Sequence, residues 1–468
     1  MSTVVPSESS VWETIREAIR GSEQDYTQAP IGRSVVLLAV PMVLEMLMES
    51  LFAVVDIFFA GRLGANAVAT IGITESLMTV IYAVAVGLSI GAAATVSRRI
   101  GEKDPDGAAR AAVQAIALGV LMSIAIGTIG AIYGAELLGV MGASDEVVQT
   151  GGSFARILLG GSGTVLLLFL VNAIFRGAGD AAIAMRVLWF ANAINIVLCP
   201  MLIFGFGPFP ALGVTGAAIG TTIGRSCGVL YQLSHLTRKT GRIVVTSEHL
   251  GLNQHVMRGI LRLSGTGMFQ NFVMTATWMG LIRILTGFGT AAVAGNAIAI
   301  RIVLFALLPS FGVSNAAATL VGQNLGADRP DRAEAAAWRA GLYNTFCLSA
   351  VGIVFLLFAP VLISFFTNDP EVTQYGVRSL RIVAAGFFFY GYGMVLTQAF
   401  NGAGDTWTPT WIALFTFWCW EIPLAWVLAH PVGLGATGVF TAAAVGFTTL
   451  AFVSGWLFRK GRWKTKKV

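Results

Sequence analysis

The sequence predicts an all-α membrane protein, with twelve transmembrane helices in two pseudo-symmetric six-helix lobes. Three observations lead there. Of 468 residues, 56% are hydrophobic and 12% charged, with a mean hydropathy of +0.76, whereas a soluble chain carries about 25% charged residues to wet its surface. The apolar residues come in windows of twenty or more, the length a helix needs to cross ~30 Å of hydrocarbon. Finally, motifs of the first half recur in the second at a constant offset.

Composition also excludes several classes. The 55 glycines show no G-x-y period, so collagen-like and low-complexity readings fail, and close helix packing remains. Cys199, Cys227, Cys347 and Cys419 lie far apart in apolar windows, without the paired spacing of a disulfide framework or a zinc site. They read as small buried apolar residues. Three of the four histidines, His235, His249 and His255, fall in one polar connector, which makes a histidine metal centre within the membrane improbable. A formal charge of +6 in a soluble protein would hint at nucleic acid; here it reports topology, and no nucleic-acid partner is expected.

Residues 1–30 form a polar arm without an apolar h-region, so no cleaved signal peptide is expected; residues 11–19 fit a short amphipathic helix. The spans fall at roughly 34–59, 68–96, 110–133, 152–175, 182–204, 211–233, 257–285, 290–321, 335–360, 378–402, 408–430 and 434–458. They divide into an N-lobe of residues 31–233 and a C-lobe of 257–458, joined by a cytoplasmic linker, 234–256, and followed by a basic tail, 459–468. Cytoplasmic loops retain Lys and Arg. Basic residues gather in the arm (Arg16, Arg20, Arg33) and in the even-numbered loops: Arg98, Arg99, Lys103 and Arg110; Arg176 and Arg186; Arg238, Lys239, Arg242 and Arg258; Arg329, Arg332 and Arg339. Both termini are therefore expected in the cytoplasm, with the chain multi-pass in the cell membrane among its lipids. Topology accounts for the basic tail, although a lipid-headgroup patch would have the same composition.

The repeat is the most informative feature. Arg176-Gly-Ala-Gly-Asp180 returns 225 residues later as Asn401-Gly-Ala-Gly-Asp405. The same offset pairs Gly101, Pro105 and Asp106 with Gly326, Pro330 and Asp331, and Gly64, Ala67, Val68 and Ala69 with Gly289, Ala292, Val293 and Ala294. Six spans per half start each half on the same side, so the repeats are parallel and related by an axis along the membrane normal. Transporters built this way place substrate between the halves and move one against the other. A monomer suffices for such a cycle.

The ordered pattern Pro41…Asp56-x-x-Phe59-Ala-Gly61-x-Leu-Gly64, Gly87-Leu-Ser-x-Gly91, Arg99-x-Gly101, Arg176-Gly-Ala-Gly-Asp180 and Gly213-x-x-Gly216-Ala-Ala218 resembles the multidrug and toxic compound extrusion (MATE) family over about residues 30–460. The resemblance implies a V-shaped, two-lobed secondary antiporter rather than an enzyme. It would export organic cations or other toxic compounds against inward flow of protons or sodium ions.

Intramembrane acids point to the same chemistry on their own, since a carboxylate at the bilayer centre costs at least ~2.5 kcal/mol. Span 1 carries Glu45, Glu49 and Asp56. At ~100° per residue Glu49 lies about 40° from Glu45 and Asp56 about 20°, so all three share a face. Their repeat equivalents are Gln270, Met274 and Leu281. Packing would be served alike in both halves, whereas chemistry is needed in only one, which places ion coupling in the N-lobe. An acid near a helix end that merely reaches water is the competing reading, strongest for Glu49.

The resemblance implies that Asp56 is the coupling group, with Asn195 on the fifth helix, Asn172 on the fourth and Thr221 on the sixth as companions. It also marks two departures: Cys199 stands where many members carry a second aspartate, and Gln270 where one subgroup has a glutamate. Asp405 matches a tenth-helix acid, but its twin Asp180 argues for a structural role at the cytoplasmic end.

A sodium ion, here at Asp56 and Asn195, prefers oxygen ligands and tolerates a thiol poorly, while a proton requires only one suitably buried carboxylate. Protons are favoured; sodium stays open, because Glu45 and Glu49 would supply oxygens. No other cofactor is expected. Glu421 in the C-lobe either lines the cavity and attracts cations or bonds to a neighbouring helix. The aromatic run of Phe387, Phe388, Phe389 and Tyr390, with Trp407, Trp411, Trp418 and Trp420, fits stacking on planar cations or plain packing. The glycines at four-residue spacing, Gly216 to Gly228, read as helix contacts. A lipid-linked oligosaccharide flippase is the alternative; such proteins carry more cavity cations, for which Arg283 and Arg301 are the candidates here.

Overall fold

The computed structural model describes residues 11–22, 24–238 and 241–468; the side chains of residues 53–57, 60 and 65 are also outside the description. Asp56 is among these, so its backbone is helical but its side chain is not described; Lys239 lies wholly outside.

All regular structure among the described residues is helical. A short α1 (Val11–Arg20) precedes α2 (Ile31–Gly61), α3 (Ala65–Gly101), α4 (Pro105–Val140), α5 (Asp145–Gly160), α6 (Ser162–Ala178), α7 (Ala181–Phe204) and α8 (Val214–Leu236). The second half holds α9 (Gln254–Leu285), α10 (Thr290–Gly326), α11 (Pro330–Ser364), α12 (Pro370–Gly402), α13 (Trp407–Ala413), α14 (Ile422–Ala429) and α15 (Ala436–Arg459). A single residue, Gly161, separates α5 from α6, and α13 runs into α14 through a π-helical stretch, Leu414–Glu421. Each expected span thus coincides with a helical rod, and ten of the rods are long and apolar enough to cross a membrane. The others, α8 and α9, are long enough but more polar: Arg225, Gln232 and His235 interrupt one, and Arg258, Arg262, Gln270, Asn271 and Arg283 the other.

Local signals set the helix starts. Asp104 caps α4, its carboxylate accepting the Gly107 N–H at 2.8 Å, with Pro105 in the first turn, where its missing N–H costs nothing. Asp369 accepts from Glu371 and Val372 N–H groups at 2.9 and 3.0 Å at the head of α12.

The repeat is visible in the backbone. Gly64 and Gly289, at φ 95° and 98°, make the same left-handed turn one offset apart; so do Gly179 and Gly404, and the non-glycine pair Lys103 and Asp328, both at φ 57°. Glycine is favoured at such turns because a Cβ crowds the carbonyl. The glycine of the repeated pentapeptide also packs identically in both halves. A Cβ on Gly177 would lie 2.8 Å from the Ala93 carbonyl oxygen, and one on Gly402 would overlap the carbonyl of Ala318, the repeat partner of Ala93.

Two compact units emerge. Among the described residues, one comprises 45–178 and 183–272, and the other 11–44, 179–182 and 273–467. They follow the sequence halves with a few exchanges: α1, residues 31–44 of α2 and residues 179–182 belong with the second-half helices, and residues 254–272 of α9 with the first. In the first unit, a Cβ on Gly87 or Gly91 of α3 would strike α9 backbone near Ser264 and Ile260. In the second, Gly312 of α10 meets the backbone of Met42 and Val43 equally closely. Small residues are what let these helices approach.

The basic tail is folded. Trp463 is fully buried, stacked on Phe458 with centroids 4.4 Å apart, and Lys464 reaches Glu334 at 2.7 Å and Asp331 at 3.0 Å. Hydrogen bonds donated to the Glu334 and Asp331 carboxylates raise the Lys464 ammonium above the ordinary lysine value. Lys466 lies 3.5 Å from buried Asp405, whose other oxygen accepts from Thr408 at 2.7 Å.

Because the pentapeptide glycine does the same work twice, Gly177→Val and Gly402→Val are each expected to destabilise the protein by about 1–3 kcal/mol, the usual cost of overpacking. Thermal unfolding of the detergent-purified protein would show similar losses for the two variants.

Candidate coupling and substrate site

Five of the predicted site residues of the first half, Glu45, Asn172, Asn195, Cys199 and Thr221, fall into two buried polar groups of one compact unit. In the first, Glu45 on α2 is almost wholly enclosed, and its Oε1 accepts from Arg176 Nη1 at 2.6 Å and from Asn172 Nδ2 at 3.0 Å. Asn172 passes the chain on: its Oδ1 accepts from Gln232 Nε2 at 2.7 Å, which also reaches the Leu168 carbonyl at 3.0 Å. Asn172 and Arg176 stand one turn apart on α6, so one helix face offers both donors to the same carboxylate. Charge-assisted bonds of this length are the strong kind.

In the second group, Asn195 Nδ2 on α7 donates to Thr221 Oγ1 on α8 at 2.9 Å. Cys199, one turn along α7, has its thiol 4.0 Å from the same hydroxyl and 3.7 Å from the Ala217 carbonyl. The α8 glycines make this contact possible: a Cβ on Gly220 would come within 2.9 Å of the Cys199 sulfur, and one on Gly224 within 3.2 Å of the Asn195 Cβ. The Asn195 Oδ1 is buried without a hydrogen-bond partner among the described residues.

Glu49 is half-buried on α2, and the buried cation of α8 is Arg225. That guanidinium is buried on α8, one turn beyond Thr221, donates to the Tyr82 hydroxyl at 3.2 Å and lies 5.3 Å from the centre of the Phe52 ring. Arg225 and Thr221 line a cavity of ≈ 470 Å³ with Phe52, Glu75, Met78 and Tyr82. Of the remaining candidates, Gln270 is buried on α9 in the same unit and Glu421 is buried in the other.

Three partners escape the sequence reading. Arg176 counts there as a cytoplasmic loop residue, yet its side chain turns back onto Glu45. Gln232 goes unremarked. The reading that Arg283 and Arg301 are the basic candidates is corrected, since both are exposed whereas Arg225 lines the cavity. Its position inside an expected span was the available signal, because an intramembrane arginine is as costly as an acid. Of the two acids, Glu45 is held by an arginine at hydrogen-bonding distance.

A two-half helical bundle with charged clusters inside one unit defines a membrane transporter. The MatE family model matches residues 41–201 and 267–427, one segment in each half, and the chain belongs to that family, whose members are secondary transporters and not enzymes. Among relatives, it is 24% identical over 451 residues to the probable multidrug resistance protein YoeA of Bacillus subtilis, covering 95% of this chain and 97% of that protein. It is 25% identical over 438 residues to the probable multidrug resistance protein NorM of Thermotoga maritima, 94% of each chain. With an FAD transporter of Shewanella oneidensis it shares 25% over 378 residues, 80% of this chain and 82% of the other. A crystal structure of MATE in complex with MaL6 superposes with a TM-score of 0.87 at 25% identity, covering 93% of this chain and 97% of that one.

Arg176→Gln is expected to cost about 3–5 kcal/mol by stranding the buried Glu45 charge. Glu45→Gln combined with Arg176→Gln should recover most of it, as read by the unfolding midpoints of the single and double variants.

Proposed function

We propose that this protein is a proton-coupled antiporter that exports organic cations and other drug-like compounds across the cell membrane by alternating access, with coupling in the first half of the chain. The observation that carries the reading is the confinement of the Glu45, Glu49, Asn195 and Thr221 groups to one unit, beside a cavity of ≈ 470 Å³. The names of the relatives support drug export over the flippase alternative. Both termini are cytoplasmic on this reading, lipids are the surroundings, and the monomer is the working unit.

Asp56 carries the coupling proton. Protonation removes the counter-charge that holds a cationic substrate, which then leaves, and deprotonation toward the cytoplasm restores it. Coupling requires only that proton and substrate prefer different charge states of one carboxylate. Glu45, clamped by Arg176, is suited to fixing geometry rather than to exchanging a proton. The Cys199 thiol next to Asn195 and Thr221 favours protons over sodium, because a hard cation would gain a poor ligand there.

Arg225 supports a refinement of the substrate. A buried guanidinium with an aromatic ring and two hydroxyls on the cavity wall suits a compound that bears an acidic group as well as a cationic one.

Proteoliposomes with separately imposed proton and sodium gradients are the test. A proton gradient alone should drive export, and Asp56→Asn should abolish it in a folded protein; export driven only by sodium would replace the proton reading. Arg225→Gln should weaken binding of zwitterionic compounds about tenfold or more, the scale of a charge-assisted hydrogen bond worth ~1.5–3 kcal/mol, and leave simple monocations nearly unaffected. Binding isotherms for the two compound classes check this.

A further inference from the structure

The second unit holds a carboxyl group that the coupling cycle does not use. Glu421 is the last residue of the π stretch Leu414–Glu421, 3% exposed, and its Oε2 has no hydrogen-bond partner among the described residues. Thr416, five residues earlier and so one π repeat away, is also fully buried with an unpartnered Oγ1. The space for the acid comes from Gly446 on α15, where a Cβ would overlap Oε2 and stand 2.8 Å from the carboxyl carbon. Tyr390 on α12 stacks on Phe447 of α15 with ring centroids 4.0 Å apart.

The charged groups on the surrounding elements do not neutralise it. On α12 the one buried titratable group is Tyr390, while Glu371, Arg378 and Arg381 are exposed. On α15 the one charged residue is Arg459, at the helix end 13 positions from Gly446. On α9, which receives the Trp418 Nε1–H at the Val273 carbonyl and packs Gly280 on Ile422, Arg283 is exposed. His430 and Cys419, on the same span as Glu421, are exposed as well. No ion pair to Glu421 occurs among the described residues.

An ionised carboxylate has no place in such surroundings, and a group of this kind becomes neutral instead. We propose that Glu421 is a proton-binding site of the second unit, separate from Asp56, and that the π turn couples its occupancy to the register of the helix. The geometry supplies the link. The Ile422 N–H bonds to the Phe417 carbonyl, five residues back, so the stretch has one residue more per turn than an α-helix would allow. Returning to α register turns the residues beyond it by about 100° and carries Glu421 off Gly446. The carboxyl O–H bond then breaks with its proton passing to water, leaving the carboxylate and hydronium; reprotonation allows the π turn to form again. π segments concentrate at functional sites in other proteins, and none of this requires Asp56 to be the coupling group.

Infrared difference spectroscopy of the full chain in lipid nanodiscs, stepped from acid to alkaline pH, reads the site through the carbonyl stretch of a protonated carboxyl group. The expected result is a band lost in Glu421→Gln, retained in Asp56→Asn, and displaced in its pH midpoint in Gly446→Ala, which moves the carboxyl without removing it. Retention in Asp56→Asn separates this site from the coupling group, whatever that variant does to transport. If Glu421→Gln does not fold, Glu421→Asp must keep the band at a shifted frequency. An unchanged band in Glu421→Gln, no shift in Glu421→Asp or Gly446→Ala, or loss of the band on adding sodium at constant pH would overturn the proposal, the last in favour of a metal cation.

Discussion

The constraint behind the structure is that lipid accepts no uncompensated charge and no unpaired backbone group. Helices satisfy the backbone. The charges need partners from other helices, and their positions follow from that requirement: Glu45 is reached by two donors from one face of α6, and Arg225 shares a wall with Tyr82 and Phe52. The same constraint explains the glycines. Helices that bring polar groups within hydrogen-bonding range have to approach closely, as α7 and α8 do where Gly220 and Gly224 face Cys199 and Asn195.

Duplication supplied the frame, and the halves then diverged in chemistry. The turns at Gly64 and Gly289, at Lys103 and Asp328, and the contacts at Gly177 and Gly402 are the same in both. The polar clusters are not. Where the first half holds Glu45 against Arg176 and carries Glu49 one turn on, the repeat-equivalent positions hold Gln270 and Met274, and the second half instead buries Glu421 in a π turn that has no counterpart in α7.

The fold was legible because hydropathy, basic loops and the 225-residue offset are all properties of the linear chain. The candidates Asn195, Thr221 and Cys199 came instead from the family resemblance, and α7 and α8 bring their side chains together. The partners were harder to read. Arg176 sits beside the cytoplasmic loop in sequence, and only the fold shows its long side chain reaching back along α6 to Glu45. The pairing of Arg225 with Tyr82, 143 residues away, has no periodic signature. The π turn was hidden for a similar reason: a single extra residue inside an apolar run leaves the hydropathy of the span unchanged.

The Glu45 and Arg176 pair has an evolutionary consequence. Each member is tolerable because of the other, so the neutral route between this pair and an uncharged one passes through a chain with a bare charge in the membrane. A lineage crosses that gap only by two changes close together, or from a reserve of stability large enough to absorb the first. The pair should therefore be inherited or lost as a unit, and its presence marks branches of descent more faithfully than either residue alone.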